Sequence, residues 1–196
     1  MDIEVRPLRD EELAPAGGVA SRALSTSPTS YWTWGDDKLE RVRRSFDVFV
    51  SFVKNQKAPI GALMGEHVVG VCGAAPPGEC IAATSGDAGR VYPETVEGPG
   101  SPSRVQYVWA SYCSHDLPER HWHLGPVSVE PGLQGLGIGA LMLTAFNDQM
   151  DEAGEVGWLE TDKPENVVFY RRGGWEVADE VTEHGLTSWW MRRDPR

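Results

Sequence analysis

The chain has 196 residues, enough for one well-packed domain and too few for two large ones. Its 18 Lys+Arg against 29 Asp+Glu leave a formal net charge of −11, which argues against a nucleic-acid binder and is compatible with a cationic or amine-bearing substrate. No apolar run approaches the roughly 18 residues of a membrane span, and the opening Met1-Asp-Ile-Glu-Val-Arg6 lacks a signal-peptide pattern, so a soluble cytoplasmic protein is expected.

Residues 3–8 alternate as a short strand, with Pro7 placing it near a sheet edge or strand end. A helix from about Glu11 to Leu24 follows, weakened by Gly17-Gly18, and then a loop over residues 25–34 that carries Tyr31, Trp32 and Trp34. Leu39, Val42, Phe46, Phe49 and Val53 recur at helical steps, and Asp36-Asp37 stand where negative charge and a side-chain cap favour the start of that helix. Residues 60–71 read as a hairpin turning at Gly65-Glu-His67. Residues 76–104 are rich in Pro, Gly and Ser without periodicity, and Ser101-Pro102-Ser103 opens a helix with Val105, Val108, Trp109 and Tyr112 on its face. From residue 121 the pattern sharpens: a strand over 121–130, a glycine-rich turn, a helix from Gly139 to Ala153, a strand over 156–161, a helix over 164–172, and strands over 175–181 and 187–193. This order implies an α/β or α+β sheet domain, read as one unit over 1–196 with 76–120 as an insertion. The three cysteines, Cys72, Cys80 and Cys113, form no C-x-x-C pair, and free thiols in an intracellular protein are the simpler expectation. No His/Cys/Asp group has metal-ligand spacing, so no metal is expected.

The segment Gln134-Gly-Leu-Gly137-Ile-Gly139 lies between a strand and a helix. Glycines let the backbone turn its N–H groups inward, and the helix N-terminus adds a favourable dipole, so phosphate or pyrophosphate is the natural guest. Gly135 to Ala140 also fits the dinucleotide fingerprint, with Glu160 as a ribose acid. That fingerprint normally hugs the end of its strand and opens a large doubly wound sheet, whereas here Glu130-Pro-Gly-Leu-Gln134 intervenes and little chain follows.

The glycine pattern, preceded by Val127-Ser-Val129 and followed by Asn166-Val-Val-Phe-Tyr170 and Gly174-Trp175, resembles the GCN5-related N-acetyltransferase (GNAT) superfamily. Leu159-Glu-Thr-Asp162 through Trp175 looks most like the branch containing puromycin N-acetyltransferase, although Gly173 replaces the bulky residue usual before the final glycine. The resemblance implies a mixed, splayed central β-sheet flanked by helices, with acetyl-CoA lying where strands 121–130 and 156–161 part. Pro126 agrees, because it removes a ladder donor and suits a bulge where pairing fails.

By the same resemblance, the backbone of Val127, Ser128 and Val129 meets the pantetheine arm and acetyl group. The amides of Gln134, Gly135, Leu136, Gly137, Ile138 and Gly139 cradle the pyrophosphate, and Asn166 and Phe169 complete the cofactor side. Tyr170 is the acid that protonates the departing CoA thiolate, a match in basicity for a phenol. The general base is open. His121 and His123 share one strand face and titrate near neutrality, which makes His123 the first candidate and His121 the second, with Glu160 another. The implied reaction is acetyl transfer to a primary amine of a small molecule by a monomer or homodimer. A peptide or protein amine, or an acyl-CoA-binding regulatory module without turnover, are the alternatives.

Overall fold

A single mixed sheet organises the computed structural model, which describes residues 2–57, 59–82 and 91–196. Its strands are β1 (Glu4–Pro7), β2 (Ile60–Met64), β3 (His67–Ala75), β4 (His121–Val129), β5 (Val156–Thr161), β6 (Glu176–Glu183) and β7 (Leu186–Arg193). They lie in the order β1-β2-β3-β4-β5-β7-β6. Neighbours run antiparallel except β4 and β5, which are parallel. The helices are α1 (Asp10–Leu24), α2 (Pro28–Trp34), α3 (Lys38–Lys54), α4 (Pro102–Ser114), α5 (Ile138–Ala153) and α6 (Pro164–Arg172).

The sheet splays at its centre. β4 pairs with β5 only from His121 to His123, so the edge from Leu124 to Val129 has no strand partner on that side. On the other side the β3–β4 register slips between Cys72 and Ala74. The Gly125–Pro126 bond is cis, and Gln56, just beyond α3, donates its Nε2–H to the Gly125 carbonyl at 2.6 Å. A Cβ on Gly73 would lie 1.7 Å from that glutamine's Oε1, so a glycine is required where the side chain plugs the gap.

The largest apolar cluster joins Met142, Phe146 and Met150 of α5 to Leu159, Trp175 and Met191. A second sets Ala16 and Ala20 of α1 and Val53 of α3 against Val71. Gly17 lets α1 and α3 approach closely, since a Cβ there would come within 2.5 Å of the Val50 Cα. Far from merely weakening α1, that glycine sets the packing distance.

Two expectations are corrected. Residues 28–34 are helical rather than loop: Pro28 takes the first helical position, and the Ser27 side chain accepts from the Ser30 N–H at 3.1 Å. The cysteines are not all free either. Cys80 and Cys113 form a disulfide with Cα atoms 6.2 Å apart, and Cys72 alone is a thiol. The helix expected after Ser101 is α4, while residues 83–90 of the expected insertion lie outside the described residues. No helix among the described residues is long and apolar enough to cross a membrane.

Candidate active site

Where β4 and β5 part, the space between them opens into a cavity of about 180 Å³. Its floor is Leu124 to Val127 of β4 and Glu160 to Asp162 at the end of β5. Asn166 and Tyr170 of α6 close one side, and α2, α3 and α4 supply Ser30, Phe52 and Tyr112 among others. The local sequence explains this placement. Pro164 fixes the start of α6, and Asn166 donates to the Thr161 hydroxyl at 3.0 Å, which pins the helix to the strand end. Asn166 and Tyr170 are four residues apart and so share a helix face.

Burial, reinforced by nearby Cys72 and Glu160, holds the Tyr170 phenol well above its ordinary pKa. It stays protonated at any physiological pH. Burial also pushes the Cys72 thiol up to about 12, which keeps it protonated and inert. Tyr112 is raised by burial, then by Glu160 and Asp162. Asp162 accepts from the Thr29 backbone N–H at 2.7 Å, fastening α2 over the cavity mouth. The cavity therefore pairs apolar walls with two carboxylates and two protonated phenols.

A short 3-10 turn, Pro131–Leu133, separates the glycine loop from the end of β4. Gly135 and Gly137 have φ of 77° and 84°, a left-handed backbone that side chains resist, and a Cβ at either would meet nothing within 4 Å. Gly137 caps α5 without a side-chain acceptor, so no side chain caps the first-turn amides. Gln134 donates its Nε2–H to the Val129 carbonyl at 3.1 Å, and Leu136 is exposed. A Cβ on Gly139 would touch Phe169 at 3.5 Å, so loop and α6 meet there. The Ser128 hydroxyl is buried without a hydrogen-bond partner, and Val127 lines the cavity. Of the residues expected on the cofactor side, those from Val127 to Gly139 run from the end of β4 into the start of α5, and Asn166 and Phe169 stand on α6.

The histidines stand elsewhere. His121 and His123 do share a face of β4, with ring centroids 6.2 Å apart, yet neither lines the cavity. His123 is fully buried, with Nδ1 2.9 Å from Asp116 Oδ1 and Nε2 2.6 Å from Glu160 Oε2. Burial opposes its charged form, but the Glu160 charge and the bonds to both carboxylates push its pKa up to about 9. His121 places Nε2 2.7 Å from the same Asp116 oxygen and Nδ1 2.7 Å from the Glu119 carbonyl. Burial acts to raise Asp116, and the two histidines outweigh it, bringing its pKa to about 2. Glu160 alone both touches this cluster and lines the cavity. Asp116, Asp162 and Tyr112 escaped sequence reasoning. Asp162 lay within the quoted Leu159–Trp175 motif, whereas Asp116 sits in a connection that carries no motif.

Of the aromatics at 31–34, only Trp34 lines the main cavity. Trp32 packs on Tyr107 and His184, and Tyr31 lies beneath the Arg41 guanidinium at 3.7 Å. Arg171 and Arg172 are exposed at the end of α6.

Residues 22–175 match the model of the acetyltransferase (GNAT) family. Among solved structures, the chain is similar to the histone acetyltransferase HPA2 and related acetyltransferase from Corynebacterium glutamicum, at 17% identity and TM-score 0.68, covering 100% of this chain and 98% of that one. It is similar to a polyamine N-acetyltransferase from Drosophila melanogaster that forms N-acetylagmatine, at 13% identity and TM-score 0.69, covering 98% and 100%. A third likeness is the PaiA N-acetyltransferase of Thermoplasma acidophilum in complex with coenzyme A, at 14% identity and TM-score 0.61, covering 99% of each chain.

Proposed function

Because the chain belongs to the GNAT acetyltransferase family, with acetyl-CoA as its cosubstrate, we propose that it acetylates a primary amine of a small molecule held in the cavity between β4 and β5. One observation carries this reading: a carboxylate and a protonated phenol line a single cavity at the point where the sheet parts. The thioester enters along the unpaired edge of β4, where a backbone N–H polarises its carbonyl. The amine nitrogen attacks the carbonyl carbon, and Glu160 accepts the proton it sheds. As the C–S bond breaks, Tyr170 gives its proton to the sulfur. The phenolate is then reprotonated from solvent, leaving an amide and free CoA.

Glu160 takes the base role in preference to His123 on geometric grounds. Both ring nitrogens of His123 are engaged and the ring has no face on the cavity, so His123 is a positioning residue that fixes the Glu160 carboxylate. The acceptor is a small molecule in this reading because α2, α3 and α4 all contribute walls. The Drosophila neighbour acts on amines of that size, in keeping with it. Neither the branch containing puromycin N-acetyltransferase nor any one acceptor follows from these observations.

The test is calorimetric binding of acetyl-CoA, followed by thiol release across aminonucleosides, polyamines, arylamines and peptides. Tight binding with turnover on a small amine is expected. Turnover on peptides alone, or binding without any turnover, contradicts the acceptor assignment, and absence of binding contradicts the whole reading.

A further inference from the structure

We propose that Asp116, His121 and His123 form a binding site for one divalent cation of the zinc type, behind the wall that carries Glu160. The inference does not rest on the acetyl-transfer reading. The three residues offer ligand atoms that all lie within 4.8 Å of one another. Both histidines are buried, while the Asp116 side chain keeps 14% of its exposure, which gives an ion a path in.

Hydrogen counting makes the case. Without an ion, a proton on His123 serves both of its carboxylates; ligation needs both rings neutral, each with one N–H and two in all. Four oxygen contacts are to be met. His121 Nδ1 faces the Glu119 carbonyl and His123 Nε2 faces Glu160, at 2.7 and 2.6 Å. Those two acceptors use both N–H groups. His121 Nε2 and His123 Nδ1 are then left with lone pairs, aimed at a carboxylate oxygen 2.7 and 2.9 Å away that also carries lone pairs. With both rings neutral, three donors of electron density converge on one point, where a cation takes the place of that proton.

The outer contacts have the form that metal-bound histidines take. A ligating imidazole donates its other N–H to a carboxylate or a backbone carbonyl, which fixes tautomer and ring orientation. Here one ring does the first and the other does the second. Two imidazoles and one carboxylate suit zinc, with a water completing the fourth position on the exposed side of Asp116. Sequence spacing concealed the site because Asp116 belongs to the connection between α4 and β4, which folds back over the start of the strand. A bound ion ties that connection to β4 and fixes the ring that holds Glu160.

The full chain, stripped with chelator and dialysed, is titrated with Co²⁺ and with Zn²⁺. Uptake of one ion per chain, with the visible bands of four- or five-coordinate Co²⁺, is expected. Asp116→Asn and His121→Gln should each lose more than the roughly 10–100-fold in affinity that loss of an outer contact costs. Far-ultraviolet circular dichroism and acetyl-CoA binding of the metal-free variants show whether they fold. X-ray absorption at the zinc edge of the wild-type protein needs no variant, and a shell containing two imidazoles is expected. No stoichiometric uptake, wild-type affinity in Asp116→Asn, or a zinc shell without imidazole each overturns the site.

Discussion

At the level of single residues, the proposed chemistry divides between a donor and an acceptor of protons, and each role can be measured. Tyr170→Phe keeps the ring that packs against Phe169 and Trp175 and removes only the hydroxyl. Its kcat should fall about 10²–10⁴-fold, the range a positioned general acid contributes, with acetyl-CoA affinity unchanged. Restoration of rate with a thioester whose leaving thiol is more acidic would mark the lost step as thiolate protonation. Glu160→Gln removes the carboxylate but leaves an amide oxygen for the His123 N–H, so the fold should persist. Its kcat should fall by a similar factor for ammonium-forming amines and for arylamines alike, since either nitrogen sheds a proton on attack. A rise in acceptor KM with kcat unchanged would show that Glu160 only shapes the cavity. Tyr170 was legible because it sits in a dense local pattern, Asn-x-x-Phe-Tyr, four residues from Asn166. The orientation of His121 and His123 was not. Strand parity puts the pair on one face of β4, but which face looks into the cavity is decided by Asp116, in an irregular connection just upstream, and by Glu160, 37 residues from His123.

Elements tell a similar story of local signals that succeed and long-range ones that stay silent. The strands and helices after residue 121 were legible because their periodicities are clean and punctuated by Pro164, Gly154 and Gly174. The α2 helix was missed because Ser27, Pro28 and Thr29 read as a turn, though Ser-Pro is also how a helix begins. The disulfide was hidden because 33 residues separate Cys80 from Cys113, and spacing alone says nothing about pairing. That bridge ties α4 to the segment after β3, next to the cavity residues Ile81 and Tyr112. Closing a loop of that length is worth about 2–4 kcal/mol, so reduction should lower the melting temperature and raise the acceptor KM more than that of acetyl-CoA. Thiol titration provides the companion check. The denatured, unreduced chain should present one reactive thiol, Cys72, and the native chain none; three thiols would show the bridge absent. The glycine loop makes the opposite prediction. Gly137→Ala meets no neighbour, so its cost is the left-handed backbone, about 1–2 kcal/mol, paid where acetyl-CoA binds. The acetyl-CoA KM should rise roughly tenfold while the acceptor KM holds.

On the scale of the whole molecule, the net charge of −11 acts on the two substrates in opposite senses. A cationic amine approaches an attractive field that deepens at the cavity, where Glu160 and Asp162 line the wall. Acetyl-CoA is an anion and approaches the same molecule against repulsion. In the proposed binding mode the loop amides at the start of α5 face its phosphates, an interaction that is short-ranged and made by the backbone. Salt separates these effects. The screening length shrinks from about 30 Å at 0.01 M to about 3 Å at 1 M, so the general field is erased while contacts within the site survive. Raising ionic strength should therefore lower kcat/KM for a cationic amine several-fold, since steering contributes about 10-fold or more to association in charged clefts. Over the same range the acetyl-CoA on-rate should rise, and an uncharged arylamine should respond little. The three trends together identify the field of the folded chain as the cause. A fall for all three substrates would point instead to salt acting on the active-site groups themselves, and the acidic surface would then have no part in choosing the acceptor.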